Sequence, residues 1–373
     1  MRKSAVRIAL IGYGFMGRAH SHALGVMGRL FPPAVDAETV LVCGPHRESA
    51  KTFGARWGWP EVCTDWREAV ERDDIDAVDI ATPSSVHAVI GEAALAHGKH
   101  VFCEKPLANS LEDAQRLAAV AKTSGQVHMV GFNYRRVPAL ALAREWIASG
   151  KLGAIHHFQA QYLQDWAAND QTPYSWRFSR DIAGSGALGD LGSHVIDLGR
   201  YLVGEMKTVS AQTNIVVPHH GGDEGTQPVT VDDAAMFLIR FESGAAGMVD
   251  VSRVATGRKN RLRLEIYGSQ GALAFDLERL NELEVWWNKD RPHDGWQRIL
   301  VTNAAHPYMR GWWPDGHALG WDATFVHEMH DWIAACGTGA EVRPDFDDGL
   351  RCQAVIDAVL CSAANHRAVD IVR

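Results

Sequence analysis

The sequence predicts a doubly wound α/β domain with a parallel sheet, followed by an α+β domain built on a large, open, mostly antiparallel sheet. Three observations carry this. In the first third of the chain, short continuous apolar runs alternate with amphipathic segments, the pattern of a parallel sheet covered on both faces. A Gly-x-Gly-x-x-Gly run separates the first apolar run from the first amphipathic segment. From residue 154 onward, strand-like runs follow one another with turns such as ESG and GSQG, as antiparallel neighbours do. The 373 residues suit two domains, placed at 1–132 and 133–373.

In order, VRIALIG (6–12) reads as the first strand and 15–28 as a helix; TVLVC (39–43) is the second strand, with a helix over 49–57. DAVDIAT (76–82) and HVFC (100–103) are the third and fourth strands, followed by helices over 85–97 and 111–124; QVHMVGF (126–132) is the fifth. After a helix over 138–149, strands are expected at 154–163, 233–241, 244–253, 261–268, 272–276 and 281–287, flanked by helices at 191–203 and 325–336, with a last helix over 347–365. PHHGGDEGTQP (218–228) reads as a mobile loop.

Composition narrows the function classes. A net charge of −8 argues against nucleic-acid binding, which needs a basic face. The six cysteines form no C-x-x-C pair, which fits reduced thiols in a cytoplasmic protein. The basic start MRKSAVRIALIG imitates a leader peptide, but Arg7 interrupts the apolar run and glycines end it; no run reaches the ~18 apolar residues of a membrane span. His327-Glu328-Met329-His330 is H-E-x-H rather than the H-E-x-x-H of zinc proteases, and no metal is expected.

Gly12-Tyr13-Gly14-Phe15-Met16-Gly17 follows a strand and opens a helix, the context in which these glycines give a tight turn, close approach to a pyrophosphate and close helix–strand packing. This marks an N-terminal Rossmann domain that binds a dinucleotide at a helix N-terminus. The second strand ends at Gly44, where a ribose-binding carboxylate is usual, and Pro45-His46-Arg47 follow. NAD is the expected cofactor, with NADP left open. Thr82-Pro83 and Glu104-Lys105-Pro106 end the third and fourth strands, at the edge that faces ligands; a cis Lys105-Pro106 bond is compatible with such a turn. Lys105 there suits proton transfer or polarisation of a substrate oxygen.

A second constellation lies in GSGALGDLGSHVIDL. Asp190 and His194 are four apart, on one face of a helix beginning near Asp190, and Asp197 lies within reach of His194. The pair reads either as a cap and a packed ring, or as a proton acceptor with its orienting carboxylate. Some of the thirteen tryptophans, such as Trp166, Trp176, Trp312 and Trp313, suit the wall of a sugar pocket.

The ordered set GYGFMG, ATPSSVHA, CEKPLA, GFNYRR and GDLGSHVIDL resembles the glucose–fructose oxidoreductase, inositol dehydrogenase and rhizopine-catabolism (Gfo/Idh/MocA) family over nearly the whole chain. The resemblance implies an NAD(P)-dependent dehydrogenase of a secondary hydroxyl on a sugar, anhydrosugar or cyclitol, assembled as a homodimer or homotetramer through its antiparallel sheet. It places the catalytic lysine on Lys105, the aspartate on Asp190 and the proton-transferring histidine on His194. His87 and Glu104 join the glycine run, Gly44, Thr82, Pro83 and Lys105 as cofactor contacts, with Glu104 either at the nicotinamide ribose or bracing the turn, and Trp176-Arg177 falls beside the nicotinamide. Arg135, Gln164, Asp165 and Trp166 join the three catalytic residues as substrate contacts. YLQDW, SWRFSR, AGSGALGD and AHPY resemble the levoglucosan dehydrogenase branch in particular. The rival readings are a redox-assisted glycosidase or lyase with retained NAD, and a nucleotide-binding regulator without turnover.

Overall fold

The computed structural model describes residues 5–32, 35–222, 225–288 and 295–372. Packing divides the chain into two compact units. One comprises the chain up to Asn133 with Gly320–Leu350; the other comprises Tyr134–Leu319 with the chain from Arg351.

The first unit is built on six parallel strands, β1 (Ala5–Ile11), β2 (Asp36–Cys43), β3 (Glu61–Cys63), β4 (Ala77–Ile80), β5 (His100–Cys103) and β6 (His128–Val130), in the order β3-β2-β1-β4-β5-β6. Their central residues are buried on both faces, which explains the continuous apolar runs. Helices α1 (Phe15–Leu30), α2 (Arg47–Trp57), α3 (Trp66–Glu71), α4 (His87–Ala96) and α5 (Leu111–Ser124) connect them. Helix α5 has the ends its sequence specifies: Ser110 Oγ accepts from the Asp113 amide, and Gly125 takes the left-handed conformation beyond the last turn.

In the second unit, helices α6 (Pro138–Ala148), α7 (Arg180–Ala183) and α8 (Ser193–Leu202) accompany a nine-stranded sheet: β7 (Ile155–Leu163), β8 (Met206–Asn214), β11 (Ala234–Phe241), β12 (Ala246–Ser252), β13 (Arg261–Gly268), β14 (Gly271–Asp276), β15 (Glu282–Trp287), β16 (Gln297–Leu300) and β17 (Val369–Asp370). All neighbours are antiparallel except the central β7–β12 pair. Strand β11 alternates strictly. Ala235, Phe237, Ile239 and Phe241 point into the core, while Met236, Leu238 and Arg240 point out. Helix α8 covers the inner face closely: a Cβ at Gly199 would lie 2.7 Å from Met206 and 3.4 Å from the Phe158 ring.

Two expectations change. The segment 218–228 is not an irregular loop: β9 (His219–Gly222) and β10 (Gly225–Pro228) pair as an antiparallel ribbon. Helix α9 (Ala323–Thr338), expected to flank the antiparallel sheet, packs in the first unit, with its Phe325 and Trp332 rings against His20 and Phe102. Burial of these large rings draws 320–350 back to the Rossmann sheet. The last helix, α10, runs over Phe346–Asn365. No helix among the described residues is long and apolar enough to cross a membrane.

Candidate active site

In the first unit, β1 lies between β2 and β4, so the strand order reverses beside it. A doubly wound sheet opens its ligand crevice at the carboxyl ends of such strands. The residues the sequence singled out in this unit gather at that edge. Gly12 to Met16 follow β1, Gly44 follows β2, Thr82-Pro83 follow β4, and Glu104-Lys105 follow β5.

The glycines each meet a distinct need. Gly12 has φ +106°, and a Cβ there would sit 2.4 Å from the Ala81 carbonyl oxygen. A Cβ at Gly17 would lie 2.3 Å from the Gly12 carbonyl, so this glycine seats α1 against the turn. Gly14 meets nothing within 4 Å, and it begins α1 without a side-chain cap. The amides of that first turn are therefore available to an anion. Thr82 Oγ1 is buried at the same edge and has no hydrogen-bond partner among the described residues. This open cradle, uncapped helix end and orphaned hydroxyl fit a dinucleotide diphosphate.

Tyr13 explains the missing acid at Gly44. Its ring lies over that position, so a Cβ at 44 would come within 2.0 Å of it. The phenol accepts from the His46 amide at 3.3 Å. Any side chain at 44 would displace the Tyr13 ring. Phe15 is exposed and stacks on Trp321 at 5.5 Å; Met16 is half-buried.

The Lys105-Pro106 bond is cis. Glu104 does not point outward: it is 4 % exposed, and its Oε2 accepts from the Lys105 amide at 3.1 Å. Its Oε1 lies 3.1 Å from Nε2 of His20, whose Nδ1 lies 3.0 Å from both oxygens of Asp79. His20 and Asp79 are fully buried. Burial works against the charged ring, but the Asp79 charge, together with the hydrogen bonds the ring donates to Asp79 and Glu104, outweighs it and raises the His20 pKa to about 10. Glu104 thus turns inward, under Lys105. His87 is buried, with Nδ1 2.9 Å from the Pro106 carbonyl and Nε2 2.9 Å from the Thr82 carbonyl, so it braces both X-Pro turns. Burial holds its pKa below the ordinary value.

In the second unit, Asp190 sits in a single π-helical turn, Leu188–Gly192, that runs directly into α8. Such turns are wider than α and recur at functional sites. Asp232 anchors its start, accepting from the amides of Gly186 and Leu188 at 2.7 Å each. A Cβ at Gly186 would lie 1.8 Å from the Asp232 carbonyl, so only glycine allows this approach. His194 follows in the first turn of α8. Its ring packs against Tyr134 at 4.6 Å and Tyr162 at 6.0 Å. Asn260 Oδ1 accepts from Gln164 Nε2 and from the Tyr162 hydroxyl, both at 2.7 Å, so Tyr162 receives the Tyr134 hydroxyl at 2.8 Å. Burial first, then neighbouring Tyr134 and Asp190, pushes the Tyr162 pKa well up, so this chain is neutral.

The proposed substrate contacts divide. Asp197 binds Nε and Nη2 of Arg135 as a buried pair, at 2.6 Å to Nη2. Arg135 also lies over the Tyr201 ring, which holds its guanidinium from a second side. Asp165 is held by Lys259 at 2.8 Å and the Gly257 amide, and Lys259 keeps its carboxyl below the usual range. Trp166 packs on a buried cluster of Ala167, Phe178, Val229 and Val231. Trp176-Arg177 form one short turn with the guanidinium 4.6 Å over the indole. Arg253 fastens that turn, donating to the Arg177 carbonyl at 3.0 Å and to buried Asp233 at 2.9 Å.

Sequence reading missed His20, Asp79, Tyr134, Tyr162 and Asn260. Asp79 carried a signal: it is an acid inside a fully buried parallel strand, where a charge needs a partner. His20 stands three residues after the last fingerprint glycine, with no local mark of its partner.

This edge and its diphosphate cradle define a nicotinamide-dinucleotide-dependent oxidoreductase. Residues 6–132 match the model of the oxidoreductase family with an NAD-binding Rossmann fold, and residues 140–274 match the GFO/IDH/MocA C-terminal domain. The chain belongs to the Gfo/Idh/MocA oxidoreductase family. It is 41% identical to a levoglucosan dehydrogenase of Pseudarthrobacter phenanthrenivorans over 98% of each chain. It is 28% identical to an inositol 2-dehydrogenase of Rhizobium meliloti, over 98% of this chain and 99% of that one. A levoglucosan dehydrogenase solved in complex with NADH and levoglucosan superposes with a TM-score of 0.96 at 41% identity, covering 99% of each chain.

Proposed function

We propose that the protein oxidises a secondary hydroxyl of a sugar-like ring, an anhydrosugar such as levoglucosan or a cyclitol such as inositol. The observation that carries this reading is Lys105 on a turn gripped from beneath by Glu104 and from the side by His87, at the edge that cradles the dinucleotide. The full-length similarity to a levoglucosan dehydrogenase favours the anhydrosugar. NAD, when bound, supplies the hydride acceptor. Gly12, Gly14 and the first turn of α1 would hold its diphosphate, Thr82 would donate or accept a hydrogen bond, and Trp176-Arg177 would lie beside its reactive end.

In this reading His194 takes the hydroxyl proton as the carbon gives up hydride. Lys105 donates to the oxygen as it becomes a carbonyl, and Asp190 orients His194 or a second substrate hydroxyl. Among the polar contacts Arg135, Gln164 and Asp165, this reading favours Gln164, tied to Asn260. The exposed outward row of Met236, Leu238 and Met248 supports assembly into a homodimer or homotetramer through the open sheet. Sedimentation of the purified protein at the mass of a single chain would remove that part.

The test is a spectrophotometric panel of anhydrosugars, inositols and aldoses with NAD and NADP in parallel. NADH should accumulate with an anhydrosugar or cyclitol. Conversion of substrate without accumulating NADH would instead mean redox-assisted elimination, and no conversion of any polyol would overturn the reading.

A further inference from the structure

We propose that His20 and Asp79 are positioning residues for the reaction, acting through Glu104 to hold the Lys105 peptide at the sheet edge. The inference rests on the reading of Lys105 given above and extends it to two residues that touch neither substrate nor cofactor.

The first support is the cost of the arrangement. Asp79, His20 and Glu104 are 0–5% exposed at their side chains, directly behind a ligand-facing edge. Apolar side chains of similar volume would fill this space without desolvating three ionisable groups, and such replacements are often neutral or stabilising. Stability alone therefore does not explain the triad.

The second support is its direction. Both oxygens of Asp79 meet His20 Nδ1, which fixes the ring and aims Nε2 at Glu104. The Glu104 carboxylate is then held at both oxygens, by His20 on one side and by the Lys105 amide on the other. Gly131 leaves room for it, since a Cβ there would lie 2.9 Å from Oε1. The chain of contacts ends on the peptide that carries the proposed catalytic ammonium group, and His87 grips the next carbonyl along.

The experiment compares His20→Gln, Asp79→Asn and the double variant with the full-length wild type. Three quantities are read: kcat and KM with NAD and levoglucosan or myo-inositol, hydrogen exchange of the peptide spanning 103–108, and the melting temperature. His20→Gln should lower kcat by about 10- to 100-fold with KM for NAD changed less than about threefold, and should speed exchange at 103–108. Adding Asp79→Asn to His20→Gln should lower kcat and speed exchange little further, because the chain of contacts is already broken at His20. A merely structural triad predicts unchanged kcat and exchange in all three variants, whatever the fall in melting temperature.

A His20→Gln protein that melts lower yet keeps kcat within about twofold and unaltered exchange at 103–108 overturns the proposal. If His20→Gln does not fold, Asp79→Asn decides alone. Faster exchange at 103–108 with a lower kcat supports the proposal, and unchanged exchange overturns it. Lys105→Ala is run beside these variants. Near-normal turnover there would defeat the reading of Lys105 itself, while the exchange data would still report whether the triad holds the turn.

Discussion

Lys105 and His194, the two side chains proposed to act on the substrate oxygen, sit in environments of opposite character. Beneath Lys105 lies a buried charged triad, with distances of 3.0–3.1 Å among Asp79, His20 and Glu104. Around His194 lie neutral phenols, Tyr134 and Tyr162, joined in a one-way hydrogen-bond chain that ends on Asn260. The contrast teaches how each side chain is held. A flexible four-carbon ammonium has little shape to pack against, so its peptide is fixed by charge. A flat imidazole is held by ring contacts with both phenols.

This contrast can be broken by experiment. Lys105→Ala should cause the largest loss, about 10³-fold or more in kcat/KM with NADH binding preserved, measured by turnover and fluorescence titration. His194→Ala should follow, with about 10²–10³-fold lost from kcat. If His194→Ala leaves kcat intact, the phenol-lined histidine is only packing.

The charged side should also declare itself in the pH dependence of stability. The His20 pKa is raised from 6.5 to about 10 in the folded protein, so the fold binds that proton more tightly than the unfolded chain. Its stabilisation is complete below about pH 6.5 and fades as pH rises toward about 10. The denaturant midpoint of the wild type should therefore fall more steeply between pH 7 and 10 than that of His20→Gln; equal slopes would show that the ring is not charged in the fold. Removing a link on the neutral side should matter least. Tyr162→Phe leaves Asn260 with its Gln164 donor and strips one acceptor from Tyr134, a cost of about 1 kcal/mol with a few-fold effect on kcat. A loss as large as that of His194→Ala would mean that the phenol chain takes part in proton transfer.

Much of the scaffold was legible. Five of the six parallel strands showed as continuous apolar runs, and β11 showed as strict alternation. Strand β3 escaped because Glu61–Cys63 begins with an acid and forms no continuous apolar run. Strand β8 escaped because its outward residues are polar and only Met206, Val209 and Ala211 turn inward, too thin a signal against a loop. Glu104 was visible as part of the turn but its direction was not, since a side chain at a strand end can face either way. Arg135 and Asp165 read as substrate contacts because polar side chains near an aromatic wall suit a polyhydroxylated ligand; their ion-pair partners, Asp197 and Lys259, reach them only in the fold.

By itself the sequence determined what depends on neighbours along the chain: the glycine turn from β1 into α1, the carboxyl-edge position of Thr82 and Lys105, the four-residue spacing of Asp190 and His194, and a family resemblance carried by those same motifs. Only the tertiary structure decided which distant charges meet. His20, Asp79 and Glu104 come from a helix, a strand and the turn after the next strand, whose adjacency depends on the order β1-β4-β5, and Tyr162 and Asn260 lie 98 positions apart. Local propensity and periodicity are set within a few residues, whereas the pairing of buried polar groups follows from how sheets and helices stack. The charged triad beneath Lys105 is therefore a property of the folded sheet, although each of its members stood in plain view along the chain.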